Sequence, residues 1–357
     1  FILLTLVILL TLAITSAVSA TGLQPNLDDL EQPLFISPDR TGAAYGYPFS
    51  AGDILDVTAE YSFKMVFDAS DVGITADLHA FTFLDDGTIL MVFDRNVDLP
   101  GLTGTVTPWD VVRFTPSRLG AYTAGTFDWF IDGSDISLDS NDEMIDALDM
   151  EYSDYDDKQK LYISLTGPFT VTENGTEISA DDEDILELTP TVTGEDTEGQ
   201  WRLWVDLSED VIGIEEENSN SLTMASWNNV TYDVLASFTD DFEFDQAIGN
   251  EQDIVWLTSG IMFPGHSVFW RGSDHGFNAA IDGLHFGSVK YPSDEPNDTM
   301  AIAMPITYGE LIQAGIDEHD DVEWYDDVDF YSFRGQAGDH IVVDVYASGA
   351  PDTYTRL

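Results

Sequence analysis

The sequence predicts an all-β fold: a four-bladed β-propeller over residues 33–291, with one blade closed jointly by N- and C-terminal strands. Three observations predict it. An Asp-led apolar segment recurs four times, a polar tight turn follows each copy at near-constant spacing, and the strand order is permuted between the two ends of the repeat. No segment carries a sustained helical period with caps.

The Asp-led segments are Asp53-Ile-Leu-Asp-Val-Thr58, Asp110-Val-Val-Arg-Phe-Thr115, Asp184-Ile-Leu-Glu-Leu-Thr189 and Asp253-Ile-Val-Trp-Leu-Thr258. Each is followed by an aromatic strand ending in a Ser-Asp or Ser-Glu turn, at 63–71, 127–135, 201–210 and 268–274. The turn serines Ser70, Ser134, Ser208 and Ser273 lie 64, 74 and 65 residues apart. Four copies in fixed order define the repeat.

A unit holds about four strands. In the second unit they fall at 77–84, 88–93, 110–115 and 127–132. Asp85-Asp86-Gly87 joins the first two as a hairpin turn in which glycine supplies the positive φ. The third strand is expected to end at Thr115-Pro116 and Thr189-Pro190, because proline cannot donate to a ladder.

At the start of the repeat, Leu34-Phe-Ile-Ser37, Asp53 to Thr58 and Phe63 to Asp68 match the second, third and fourth strands, with no first strand before them. At its end, Ile281-Asp-Gly-Leu-His-Phe286 matches a first strand alone, as in Ile145-Asp-Ala-Leu-Asp-Met150. The two remainders add up to one unit, and such a split removes exposed sheet edges from a circular array. A row of β-sandwich modules is the rival architecture, and it leaves the split first unit without a reason.

Residues 1–20 read as the apolar region and cleavage site of a signal peptide without its basic n-region, followed by a linker at 21–32. The apolar run is short for a membrane span. Secretion or display at the cell surface is therefore expected, and Asn174, Asn229 and Asn297 would then be glycan acceptors in Asn-X-Thr sequences.

After Tyr291 the pattern changes. Glu295-Pro-Asn-Asp298 is followed by Gly315-Ile316, then Asp327-Val-Asp-Phe-Tyr-Ser-Phe333, then Ala337-Gly338 before an alternating strand. This order resembles the bacterial pre-peptidase C-terminal domain. The resemblance implies that 292–357 is a small β-sandwich, truncated at its last strands, that accompanies secreted proteins, often proteases. It further implies a part in secretion or matrix binding and no catalytic residues of the module's own. The acidic stretch Glu318 to Asp327 is longer than that pattern requires.

Across 357 residues, 67 Asp and Glu face 12 Lys and Arg, a formal net charge of −55, while 43% of residues are hydrophobic and 12% aromatic. Disordered acidic chains lack such apolar content, so a folded core under an acidic surface is expected. Nucleic acid and anionic membrane surfaces are excluded as partners by the scarcity of cations. Self-repulsion on this scale calls for screening by salt or divalent cations. With 47 Asp, 20 Glu and four Lys, the balance resembles that of proteins from halophiles. No cysteine is present, which excludes disulfides and thiol chemistry.

Catalytic signatures are lacking: no H-E-x-x-H, P-loop, G-x-G-x-x-G or G-x-S-x-G motif occurs. Gly265-His-Ser267 and Ser273-Asp-His275 place Ser, His and Asp close in sequence, but the latter is the repeat turn of the fourth unit. His79 and His285 lie on first strands and read as satisfied polar residues near the axis. A gapless alignment of first strands superposes Asp77, Asp146, Thr223 and Asp282. First strands line a propeller channel, so Asp77, Asp146 and Asp282 are the candidate ligands of a hard cation such as Ca²⁺. Facing solvent at strand starts is their alternative. The turns such as Asp132-Gly-Ser-Asp135 are explained by Asx chemistry without a metal. Trp129, Trp201, Trp204, Phe269 and Trp270 read as core in preference to sugar-stacking positions.

These features lead to the expectation of an exported, non-catalytic binding or surface-interaction protein. An extracellular polysaccharide or matrix protein is the expected partner class, and the C-terminal module serves attachment or export. The alternatives are the non-catalytic part of a secreted peptidase or other hydrolase, and a structural component of the cell envelope.

Overall fold

Every blade is an antiparallel four-stranded sheet whose strands follow the apolar segments of the repeat. The structure, a computed structural model, describes residues 32–57, 63–153, 156–210, 218–227, 232–244, 247–258, 266–291, 304–305 and 331–332. Blade 1 contains β1 (Leu34–Pro38), a hairpin of β2 (Gly42–Ala44) and β3 (Tyr47–Phe49), then β4 (Ile54–Asp56) and β5 (Lys64–Phe67). Blade 2 is β6 (Leu78–Phe83), β7 (Ile89–Phe93), β8 (Val111–Arg118) and β9 (Ala124–Ile131). Blade 3 has β10 (Ile145–Ser153), β11 (Lys158–Leu165), the hairpin β12 (Phe169–Glu173) and β13 (Thr176–Ala180), β14 (Ile185–Val192) and β15 (Glu198–Val205). Blade 4 has β16 (Ser219–Trp227), β17 (Tyr232–Phe238), the hairpin β18 (Phe242–Phe244) and β19 (Ala247–Gly249), β20 (Asp253–Thr258) and β21 (Ser267–Arg271). The next strand, β22 (Ile281–Phe286), pairs antiparallel with β1, Leu34 opposite Phe286 and Ile36 opposite Leu284.

The four sheets therefore run β22-β1-β4-β5, β6-β7-β8-β9, β10-β11-β14-β15 and β16-β17-β20-β21. Their first strands touch in a cycle: β22 against β6, β6 against β10, β10 against β16, and β16 against β22. This is a four-bladed, propeller-like arrangement. The small hairpins in blades 1, 3 and 4, and the Val97–Val106 bridge in blade 2, occupy the link between second and third strands. They account for units longer than four strands need.

Beyond Tyr291 the chain is described only where β23 (Met304–Pro305) pairs in parallel with β24 (Tyr331–Ser332). The expected β-sandwich at 292–357 otherwise lies outside the described residues, as do the signal peptide and all of the linker but Gln32.

Four apolar cores fill the gaps between blades, each shared by two neighbours. Phe35, Phe67, Leu78, Phe93 and Phe114 join blades 1 and 2. Val92, Phe130, Leu148, Ile163 and Trp201 join blades 2 and 3. Tyr162, Val205, Leu222, Phe238 and Val255 join blades 3 and 4. Leu34, Leu55, Leu235, Trp270 and Leu284 join blades 4 and 1. Strands buried on both faces need near-continuous apolar runs, and Ile-Leu-Met-Val-Phe (β7, all five residues buried) is such a run.

The third strands outlast the Thr-Pro pairs expected to end them. β8 continues through Pro116, opposite Gly125, to Arg118, and β14 through Pro190, opposite Gly199, to Val192. The second strand pairs only with Val112–Phe114 of β8 and Leu186–Leu188 of β14, so past those residues one side is an edge. Proline is tolerated there because no ladder partner awaits its missing N–H.

The repeated Asp that opens each third strand is a buried backbone clamp. One carboxylate oxygen accepts from the N–H three residues earlier: Ser50, Thr107, Asp181 and Asn250 donate to Asp53, Asp110, Asp184 and Asp253 at 2.7, 2.7, 3.0 and 3.2 Å. The other oxygen accepts from the turn after the fourth strand, from the N–H of Ala69, Gly133, Leu207 and Gly272 at 3.1, 2.9, 3.1 and 3.1 Å. Asp110→Ala leaves those N–H groups of Thr107 and Gly133 without their acceptor, and should cost about 2–3 kcal/mol in urea denaturation. A loss below about 0.5 kcal/mol would show that the clamp is dispensable.

The Ser-Asp turns tie one blade to the next. Asp68 and Asp132 accept from the backbone N–H of Ser70 and Ser134 two residues on, at 3.0 and 3.1 Å. Asp71 and Asp135 accept from Thr123 and Thr197 of the following blade at 2.8 and 2.9 Å. Bulges at Val66 and Phe130 leave their carbonyls to accept from Gly120 and Gly194 of that blade at 2.6 and 3.0 Å. Both glycines adopt φ above +100°, which a side chain would strain. In blade 4 Arg271 replaces the capping Asp, and its guanidinium donates to Asp253 instead.

Candidate functional site

The polar residues that could act chemically gather on the four first strands around the axis. Each strand carries a β-bulge near its start, at His79, Asp146, Asn220 and Asp282, and β16 has a second irregularity between Met224 and Ser226. A bulge inserts an unpaired residue and re-aims its side chain. These four are structural equivalents, one per blade. The gapless alignment of Asp77, Asp146, Thr223 and Asp282 is thus out of register by two residues in blade 2 and three in blade 4. The slip arises because a search for carboxylates cannot see that His and Asn occupy the equivalent bulges.

Asp282 accepts from Asn220 Nδ2 at 2.7 Å, and the same amide nitrogen reaches the Ile281 carbonyl at 2.9 Å. The Asp77 and Asp282 carboxyls lie close enough for each to act on the other's ionisation. Burial, the Asp282 charge and the Asp94 charge push Asp77 up to about 8. Burial pushes Asp282 up to about 7, against the hydrogen bond from Asn220. Asp146 is 1% exposed. Burial holds its carboxyl well above the ordinary range, with Asp182 and Asp282 adding to the rise. Ser164 beside it donates to the Asp182 carbonyl at 3.1 Å, and Ser164 and the Asp146 backbone N–H act against the rise. The structure thus joins Asp77 to Asp282 and sets Asp146 in their electrostatic reach. Among the described residues, no three His, Cys, Asp or Glu side chains are arranged to hold a metal ion.

Three residues further along the strands lies a second ring, Thr82, Asp149, Thr223 and His285, of which sequence reasoning singled out Thr223 and His285 and missed Thr82 and Asp149. Asp149 accepts from Thr82 Oγ1 at 2.7 Å, Met150 N at 2.8 Å, Thr223 Oγ1 at 3.2 Å and Met224 N at 2.6 Å. His285 Nδ1 lies 3.1 Å from Thr82 Oγ1. The network spans all four sheets. Burial lowers the His285 pKa against the pull of Asp149 and Asp85. His79 is likewise lowered by burial, against Asp94 and a hydrogen bond with the Ile145 backbone. The signal for this ring was the fourfold spacing from the bulges, which only the true register reveals.

The other sequence candidates serve the fold. Gly272–His275 form the blade 4 turn, with His275 stacked on Trp270 at 5.1 Å. Trp201, Phe269 and Trp270 are buried, and Trp201 Nε1 donates to the Ile136 carbonyl at 2.8 Å. Trp129 is half-buried against the core between blades 1 and 2, and Trp204 against that between blades 3 and 4.

Titration of the clamps has a predicted sign. Burial pushes Asp53 and Asp184 up to about 6, while backbone donors oppose it. A raised folded-state pKa gives stability that is fully present below the unfolded value near 4 and is lost as pH rises through 6. Exposed carboxylates are already ionised above pH 5. Tm should therefore fall by roughly 5 °C between pH 4.5 and 7.5 at fixed high salt. A Tm that rises across that window in differential scanning calorimetry would show that the clamps are stabilised as carboxylates.

No family model matches the chain. Over 56 residues, 16% of its length, the chain is 48% identical to a probable subtilase-type serine protease of Deinococcus radiodurans, and the match spans 7% of that relative. Among solved structures, the N-terminal domain of Nup159 aligns with 63% of this chain and 46% of that one, at 12% identity and a TM-score of 0.24. That score carries no argument about fold.

Proposed function

We propose that this chain is the non-catalytic binding part of an exported protein, one of the class that carries or accompanies a secreted peptidase. The 48% identity to a segment of a subtilase-type protease carries the reading, because the matched stretch is a small fraction of that relative. The motif order at 292–357, which resembles the pre-peptidase C-terminal domain, supports the same context. In this reading the β1–β22 pairing is the seam of a closed ring, and that ring is the rigid platform. The hairpins between second and third strands are the variable elements it presents, as binding residues tend to sit on loops held by a rigid scaffold. The partner is a neutral extracellular polysaccharide or a matrix protein with basic patches, since a charge of −55 repels polyanions.

The test is a paired assay of the chain in molar salt. Sedimentation with insoluble chitin and with a basic matrix protein should show retention, and hydrolysis of denatured casein should be at background. Casein hydrolysis that a serine-directed inhibitor abolishes would overturn the reading, as would failure to bind either matrix.

A further inference from the structure

We propose that a cleft beside the blade 3 hairpin binds a neutral sugar unit of an extracellular polysaccharide. The inference rests on the proposed function: it gives that binding a place and chooses between the two partner classes named there.

The cleft is a cavity of about 360 Å³ between the Gly133–Ile136 turn of blade 2 and strands β12, β14 and β15 of blade 3. That volume lies within the range of small-molecule sites. Ile136, Val171 and Trp201 supply its apolar surface. Trp201 is held by its bond to the Ile136 carbonyl and by Phe169, whose ring centroid is 5.2 Å away, so this surface is rigid. Two departures from the repeat build the site. The turns after the fourth strands of blades 1 and 4 end in left-handed glycines, Gly73 at φ 79° and Gly276 at φ 65°, but blade 2 has Ser137 there at φ 74°. A serine in that region is strained, strain of this kind gathers at ligand sites, and the side chain it retains lines the cleft. The hairpin of blade 3 has five residues in each strand, against three in blades 1 and 4. It brings Val171 and Glu173 to the cleft.

The lining selects the ligand. Its polar members are Asp135, Ser137, Glu173, Thr191, Glu198 and Gln200, with no Lys, Arg or His among them, so an anion meets no counter-charge. Asp135 Oδ2 and Thr191 Oγ1 are spent on the Thr197 N–H and the Glu198 carbonyl, which leaves Ser137, Glu173, Glu198 and Gln200 for a ligand. Carboxylates only accept, so the cleft suits a molecule rich in donors. Sugar hydroxyls are such donors, and a sugar ring has C–H groups to place against Val171 and Ile136. An ammonium group also donates, but a charge of −55 calls for salt. At 1 M the screening distance is about 3 Å, so charge attraction adds little there, while hydrogen bonds to uncharged hydroxyls persist.

Calorimetric titration of the whole chain in molar NaCl would test this, with chitotetraose, cellotetraose and mannotetraose as neutral probes and trigalacturonic acid as the anionic one. At least one neutral probe should give a saturable heat that is unchanged when the salt is doubled, and the anionic probe none. Gln200→Ala should weaken that binding by roughly three- to tenfold, and Glu173→Ala by roughly tenfold or more. Ser137→Gly should weaken it as Gln200→Ala does while Tm holds or rises, because glycine suits the turn. That pairing separates a lost ligand contact from a damaged fold. Ile248→Ala, on the shorter hairpin of blade 4, should bind as the parent does. If no neutral probe binds but a basic matrix protein is retained, this inference falls and the proposed function stands; if neither is retained, both fall. Unchanged binding in Ser137→Gly, Gln200→Ala and Glu173→Ala would also overturn the inference, as would a response confined to the cationic chitosan tetramer.

Discussion

Asp149→Ala should destabilise the protein by about 3–5 kcal/mol, the largest effect expected of a single substitution outside the apolar cores. The carboxylate is 3% exposed and accepts four hydrogen bonds, two of them from the backbone of Met150 and Met224. The hydroxyls of Thr82 and Thr223 can rotate to other acceptors, and His285 Nδ1 already lies within reach of Thr82. The two N–H groups cannot move, so the cost falls on them. Because the bonds run from β6 and β16 into β10, the substitution loosens three sheets at once. Urea denaturation measures it. Asp149→Asn should lose less, since one oxygen remains to accept. A loss of under about 1 kcal/mol for Asp149→Ala would mean that the axial ring is not a structural hub.

The second large effect is on ionic strength. Reducing NaCl from 1 M to 10 mM lengthens the screening distance from about 3 to about 30 Å, so that charges across the whole surface repel one another. With 67 acidic residues against 12 basic ones, Tm should fall by more than about 10 °C. The few ion pairs offer little compensation. Lys160 and Arg202 converge on Glu187 in blade 3, and Arg40 bridges Asp39 and Glu251. A Tm independent of salt would show that the acidic shell carries no repulsive cost.

Much of the architecture was legible because the repeat is written in residues with a backbone role. Asp53, Asp110, Asp184 and Asp253 recur since each clamps a turn, and Asp68 and Asp132 recur since each caps one. Their spacing was visible, although the hydrogen bonds that explain it were not. The strand limits at Pro116 and Pro190 were read too early, because whether a strand has a partner on its proline side is a tertiary fact. The axial site was half legible. A bulge adds a residue without any change in composition, so the register of β6 and β16 against β10 and β22 could not be read from pattern. That slip drew Asp77 and Thr223 into the ring in place of His79 and Asn220, and hid Asp149 altogether. About the C-terminal segment, motif order speaks and the described residues add only the pairing of β23 with β24.

The central claim is that four sheets form one ring whose seam is the pairing of β1 with β22. Native-state hydrogen exchange of the β22 amides tests it most directly, with β8 in the middle of blade 2 as the internal reference. The account predicts that the ladder-bonded amides of Ile281–Phe286 exchange as slowly as those of Val111–Phe114, and that both accelerate together as urea is added. Exchange in β22 that is orders of magnitude faster than in β8, with no urea dependence, would show a frayed strand and an open array, and would contradict the ring.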